Sequence, residues 1–225
     1  ATRVDTESAD QVRVLELDDL HRQTYHTAVH GGEFSVAVGV YRHVRRVAVL
    51  VLAVARGAPN PLIVRPSDPA LFHCSFVMLW QAESLWLSDE DARRLREYLL
   101  KGGFIWSDDS WGSYAWENFS AEMSKVLPPS RYPFVDIPGS HAMFRILFEV
   151  AKVPQIPGIS YWYRSGGRTS EQGADSAEVH VRGMFDERGR LMVLSTHNTD
   201  IADGWEREGE DDYFFHEFSE KRSFP

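Results

Sequence analysis

Two short polar segments carry the residues of this chain that could do chemistry. Ser107-Asp108-Asp109-Ser110-Trp111 follows the apolar run Phe104-Ile105-Trp106, and His197-Asn198-Thr199-Asp200 follows Leu191-Met192-Val193-Leu194. Adjacent carboxylates at a strand-to-helix turn can converge with an imidazole and a further acid from a neighbouring strand. Such a set binds a hard divalent cation or works as general acid and base. Asp108, Asp109, His197 and Asp200 are therefore candidate metal ligands, with Ser110, Trp111, Asn198 and Trp205 as candidate ligand contacts. A structural reading competes with this one. Asp and Ser are favoured helix N-caps, so Asp109 or Ser110 capping the following helix explains them equally well, and Asn198 and Asp200 suit a turn.

Weaker signals lie elsewhere. Trp111, Trp116, Trp162 and Trp205 are either stacking platforms for a sugar or core residues. The acidic run from Trp205 to Asp212 suits calcium or a solvated loop. Of His21, His26 and His30, only the last two share a helical face, and solvated histidines are the ordinary case. The single cysteine, Cys74, precludes an internal disulfide and a multi-thiolate zinc site; its strand-like flanks make it structural.

The elements that must position the two segments are legible. Ser88 and Asp91 form a capping box, and Ala92, Leu95, Tyr98 and Leu99 recur at helical spacing, with Arg93, Arg94, Arg96 and Glu97 left for water. Gly102 ends that helix. Phe76 to Trp80, Phe104 to Trp106 and Leu191 to Leu194 are apolar without alternation, as strands covered on both faces are. Ala115 to Val126 reads as a helix with Phe119, Met123 and Val126 inward, and Ala142 to Val150 as another. Val179 to Phe185 and Arg190 to Ser195 flank the turn Asp186-Glu187-Arg188-Gly189 and predict a hairpin. Ile63-Val64 reads as a short strand, Asp68 to Phe72 as a helical turn, and Val12 to Leu17 as an alternating strand. Alternating strands and helices predict a parallel sheet, whose ligands sit beyond the carboxyl ends of its strands. Both polar segments fall there. The polar stretch around Arg164 to Thr169 suits a lid or a plain surface excursion.

At 225 residues the chain fits one α/β domain. Its net charge of -9 opposes nucleic-acid binding, since Arg42, Arg45 and Arg46 are too few for a phosphate footprint. Val47 to Ala55 is apolar but too short to span a bilayer, and is expected to be a buried strand or core helix. The polar start ATRVDTESAD carries no charged and apolar leader, and would suit a mature chain after signal removal.

KGGFIWSDDSWGSYAWENF, VPQIPGISYW, GADSAEVHVRGMFDERGRLMVLSTHNTDIADGWEREG and FHEFSEKRS resemble the bacterial domain of unknown function 4159 family, with similarity from about Pro59 to Pro225. The resemblance implies an α/β fold related to class I glutamine amidotransferase-like (flavodoxin-like) and trehalose-utilisation-like domains. It also implies a periplasmic or exported setting and no established activity. Residues 18–57 match the family pattern poorly, and members usually continue beyond the position of Pro225. Where amidotransferases present a nucleophilic cysteine in G-x-C-x-G, this chain presents Ser107 to Gly112, so the thiol chemistry is missing. His141 falls where the family shows Asp-His-Pro, here without the Asp and Pro.

The expected architecture is a single three-layer α/β sandwich over 1–225, with a mostly parallel central sheet, an added hairpin and a family-like core over 58–225. The first expectation for function is a non-catalytic module binding a small ligand or an envelope protein through its strand tips. A metal-assisted hydrolase using the same carboxylates and a divalent cation comes second, and a structural scaffold of an envelope complex third.

Overall fold

A computed structural model describes residues 64–146, 149–206 and 209–223, together with the backbone of short strand segments between 22 and 63. The expected strand at Val12 to Leu17 and the three histidines His21, His26 and His30 lie outside the described residues.

The central feature is a mixed seven-stranded sheet. Its strands in chain order are β1 (Leu50–Leu52), β2 (Leu62–Val64), β3 (Phe76–Trp80), β4 (Phe104–Asp108), β5 (Val135–Asp136), β6 (His180–Phe185) and β7 (Leu191–His197). In space they run β2-β1-β3-β4-β7-β6-β5. Parallel pairing is confined to β3, β4 and β7, where Val77, Ile105 and Val193 lie side by side. The flanks are antiparallel: β1 pairs so with β2 and β3, and β6 with β7 and β5. A mostly parallel sheet is thus corrected to a parallel core with antiparallel flanks. The sequence cause is the turn at Asp186 to Gly189, whose Asp186 carboxylate accepts from the Arg188 and Arg190 amides and returns β6 directly as β7. Parallel neighbours need a long crossover connection, usually one that contains a helix.

Two helices supply that crossover and the next connection, α1 (Asp89–Leu100) and α2 (Gly112–Val126). At the start of α1, Ser88 Oγ accepts from the Asp91 amide at 3.1 Å while Asp91 accepts from the Ser88 amide at 3.2 Å. The predicted inward residues Ala92, Leu95, Tyr98 and Leu99 are all buried, and Gly102, at φ +113°, takes the turn that ends the helix. Both helices cover one sheet face, packing Leu95, Leu99, Phe119 and Met123 on Val77, Leu79, Ile105 and Val193.

The other face differs from the expected second helical layer. Among the described residues, Phe104, Trp106 and Leu194 are covered by Ile137, Phe144, Val150 and Val153 from a mainly irregular segment. The helix expected over Ala142 to Val150 is only a 3-10 turn, Ala142–Arg145, capped by the His141 ring, whose Nδ1 accepts from the Met143 amide. Helices α3 (Ile159–Ser165), α4 (Ile201–Glu206) and α5 (Asp212–Phe215), the last continuing as a π-helical turn over His216–Ser223, gather around Ile156, Phe214 and Phe218. No helix among the described residues is long and apolar enough to cross a membrane.

Ile105 is 1% exposed at the centre of the parallel triple. Ile105→Asp places an unpaired charge there at a cost of several kcal/mol, a large part of the roughly 5–15 kcal/mol that holds a typical domain. Circular dichroism is expected to show a collapsed or strongly lowered melting transition; an unshifted one would contradict the strand order.

Candidate functional site

The three parallel strands end together, and each turns away through a non-glycine residue in the left-handed region: Gln81 at φ +56°, Asp109 at +51° and Asn198 at +66°. Such residues cost energy and persist where surrounding bonds over-determine them. Here the bonds are explicit. The Asn198 amide donates to the Ser110 carbonyl at 2.7 Å, the Asp109 amide to the Thr199 carbonyl at 3.2 Å, and the Gln81 amide to the Asp109 carbonyl at 3.2 Å. Asn198 Oδ1 accepts from the Gly112 amide, the first of α2, while its Nδ2 donates to the Glu178 carbonyl at 2.7 Å. The expected cap of α2 by Asp109 or Ser110 is therefore corrected. The helix start is held across the fold by Asn198 and by Asp175, which accepts from the Ser113 amide at 2.8 Å.

Asp108 is fully engaged. Its Oδ1 accepts from the Thr196 hydroxyl and its Oδ2 from the Ala202 amide at 3.0 Å, so it tethers the first turn of α4. Burial pushes its carboxyl up to about 7, against those bonds, which favour the ionised form. Asp200 is buried, accepts from the Asp203 amide at 2.9 Å, and is held well above the ordinary carboxyl range by burial and by Asp109, Asp203 and Asp108. Asp203 in turn accepts from the Ile159 amide. Asp109 differs: it is half-buried, and one of its oxygens accepts from the Trp111 indole N–H at 3.0 Å. Burial, then the charges of Asp108, Glu171 and Glu83, push it up to about 8.

Strand alternation separates His197 from these acids. Asp108 bonds Thr196 on the face of Trp106, whereas His197 lies on the α2 face, its Nε2 donating to the Gly112 carbonyl at 2.9 Å and its ring 5.9 Å from that of Trp116. The structure brings Asp108, Asp109 and Asp200 together but not the expected fourth ligand. Among the described residues no three histidine, cysteine or acidic groups are arranged to hold a metal ion. Ser110 is buried and serves the strand-tip bridge to Thr199. The four tryptophans do not form one platform: Trp116 packs with Phe119 and Phe134, Trp162 against Phe218, and the Trp205 side chain lies outside the described residues. In the acidic run, Asp211 caps α5 and accepts from Tyr163 Oη. Cys74 is half-buried, and burial raises its thiol.

Glu171 and Glu83 went unnoticed in the sequence. Glu83 was reachable, because it follows the carboxyl end of β3 as Asp109 follows that of β4. Glu171 lies just past the polar stretch Arg164 to Thr169, in a strap held by its own hydrogen bonds: Glu171 accepts from the Gly158 amide, Tyr161 donates to the Ser170 carbonyl, and Thr169 donates to Gln155.

Residues 49–224 match the family described as Domain of unknown function (DUF4159). The chain belongs to that family. No curated protein matches it. The family match begins at residue 49, upstream of the Pro59 expected from the motifs, and so takes in β1 and β2. The strand-tip motif SDDSWG of this DUF4159 chain is the segment that holds the three tips in register.

Two outcomes follow from this geometry. Asn198→Ala leaves the Gly112 amide and the Glu178 carbonyl without their partner and puts alanine at positive φ; a loss of about 2–4 kcal/mol is expected in chemical denaturation. For pH, the folded-state values of Asp108, Asp109 and Asp200 stand above their unfolded values. The folded protein thus holds the extra protons, and stability is lost as pH rises from about 4 toward 8. Melting is expected to be higher at pH 5.5 than at 8.5, with a smaller difference in Asp109→Asn.

Proposed function

We propose that this protein is a non-catalytic binding module, a single α/β domain of the class I glutamine amidotransferase-like type. Its site is the carboxyl edge of the parallel strands, and it takes a cationic group, an ammonium or guanidinium, of a small ligand or of an envelope partner. The observation that carries the reading is Asp109. It is half-buried beside other acids, with burial and the charges of Asp108, Glu171 and Glu83 raising its carboxyl, and among the described residues only the Trp111 indole N–H donates to its side chain. A cation relieves the mutual repulsion of these carboxylates, and an organic cation does so without the tight ligand convergence a metal ion requires. The β3-α1-β4-α2 unit and its tip support the amidotransferase-like assignment; the exported setting rests on the family resemblance alone.

A hydrolase is the second reading, favoured by one observation. Asp109 occupies a strand-to-helix turn at positive φ, the position from which a nucleophile elbow presents its side chain. With its carboxyl pushed up to about 8, it would serve there as a general acid.

Thermal melting with putrescine or agmatine at pH 8.5, where Asp109 is more ionised than at pH 6, tests the first reading. A ligand at ten times its Kd adds about 1.4 kcal/mol, or about 3–6 °C in a domain of this size. The rise is expected to saturate, to weaken at pH 6 as protons compete, and to vanish in Asp109→Asn. No rise with either amine removes the cation-binding reading. A hydrolytic activity lost in a well-folded Asp109→Asn variant favours the second.

A further inference from the structure

On the α2 face of the sheet a different set of polar groups is gathered. Among the described residues, the buried side-chain polar atoms with no hydrogen-bond partner are Ser107 Oγ, Ser195 Oγ, His197 Nδ1 and Arg182 Nη1. They are neighbours. Arg182 on β6 pairs with Ser195 on β7, which pairs with Ser107 on β4, and in-register neighbours project to the same face. His197 stands two residues beyond Ser195 on the same side, with its ring 5.9 Å from that of its cross-strand partner His180. Ser107 and Ser195 are fully buried and His197 is 4% exposed, so these are not surface groups awaiting solvent.

A buried polar atom without a partner costs about 1–3 kcal/mol, and isolated cases occur in most proteins. Four on three adjacent strands indicate a common partner instead. Its chemistry follows from the donors. The Arg182 guanidinium lies 4.1 Å over the Trp116 ring and gives its Nε to Asp136, leaving Nη1 free. The two hydroxyls donate or accept. His197 must carry its proton on Nε2, because the Gly112 carbonyl there only accepts, so Nδ1 presents a lone pair. The site therefore offers a cationic donor, two hydroxyls and one acceptor. We propose that Arg182, Ser195, Ser107 and His197 bind an oxyanion that itself bears a proton, such as hydrogen phosphate, beneath the first turns of α2.

Arg182 is 18% exposed at the side chain and His180 is half-buried, whereas Ser107 and Ser195 are fully buried, so the β6 end of the row lies nearest solvent. The acids facing it are Asp136, bound to Arg182, and Asp175, whose carboxylate is taken up by the Ser113 amide and hydroxyl. Arg182 and His180 add to burial in pushing His197 down to about 4, the field an anion would find attractive. The acids around the Asp109 tip form a separate group, and none of them is among the charges that act on His197.

The test compares sodium phosphate with sodium sulfate and acetate at pH 7 and equal ionic strength, following melting temperature and the ¹⁵N resonance of His197 Nδ1. Phosphate and sulfate both stabilise proteins by exclusion, so the excess of phosphate over sulfate is the readout. A saturating phosphate response at least tenfold tighter than that of sulfate is expected, with a shift of the Nδ1 resonance, because sulfate has no proton to give to Nδ1. Ser195→Ala removes one unpartnered hydroxyl, so its fold is expected to be retained without phosphate while its phosphate affinity drops severalfold. Arg182→Gln is expected to abolish the response, and Asp109→Asn to leave it intact. Equal responses to phosphate and sulfate, no movement of Nδ1, or unchanged phosphate affinity in Ser195→Ala overturns the proposal.

Discussion

The exchange of backbone bonds between the ends of β4 and β7 organises this domain. Asn198 donates to Ser110 and Asp109 to Thr199, so two parallel strands that would otherwise diverge into separate loops are clipped at their tips. Left-handed backbone at Asp109 and Asn198 is the local cost, and Asn and Asp are the non-glycine residues that tolerate it best. From this clip the rest follows. The Asn198 side chain holds the start of α2, Thr199 accepts from the Ile156 amide and donates to the Pro154 carbonyl, and Asp108 tethers α4.

That arrangement separates charge by sheet face. Side chains alternate along a strand, so Asp108 and Thr196 point to one side while Ser107, Ser195 and His197 point to the other. Acids collect around α4 and the strap from Gln155 to Ser176; Arg182, His180 and His197 collect under α2. Low dielectric magnifies the effect on both sides: carboxyls rise toward their neutral form and the imidazole falls toward its own. This sheet edge thus presents two electrically different environments. Selective contact with a cationic ligand and with a protonated oxyanion are compatible proposals because they use separate groups of residues.

Much of this was legible in the residues. Ser88 to Gly102 announced α1 through its capping box, its buried periodicity and its terminal glycine, all interactions between residues close in sequence. The apolar runs at Phe76, Phe104 and Leu191 announced the covered strands, and the Asp186 to Gly189 turn announced the hairpin. The two polar tips were recognised as neighbours by the rule that ligand sites lie beyond parallel strand ends. Each of these signals is local, or depends only on which face of an element is apolar.

What the sequence could not determine was the direction and occupancy of individual polar side chains. Whether Asp108 points at a ligand or at the Ala202 amide, 94 residues away, depends on where α4 lands. Whether His197 joins the acids depends on strand parity relative to a partner strand, and a single residue of register reverses it. The irregular layer over Phe104 and Leu194 was missed because Ala142 to Val150 has helical composition while its apolar groups are needed against the sheet. By itself the sequence determined the elements and which strand ends carry polar groups, since these rest on periodicity and local caps. Only the tertiary structure decided which of those groups are satisfied and which remain free, because hydrogen-bond partners are set by positions in space.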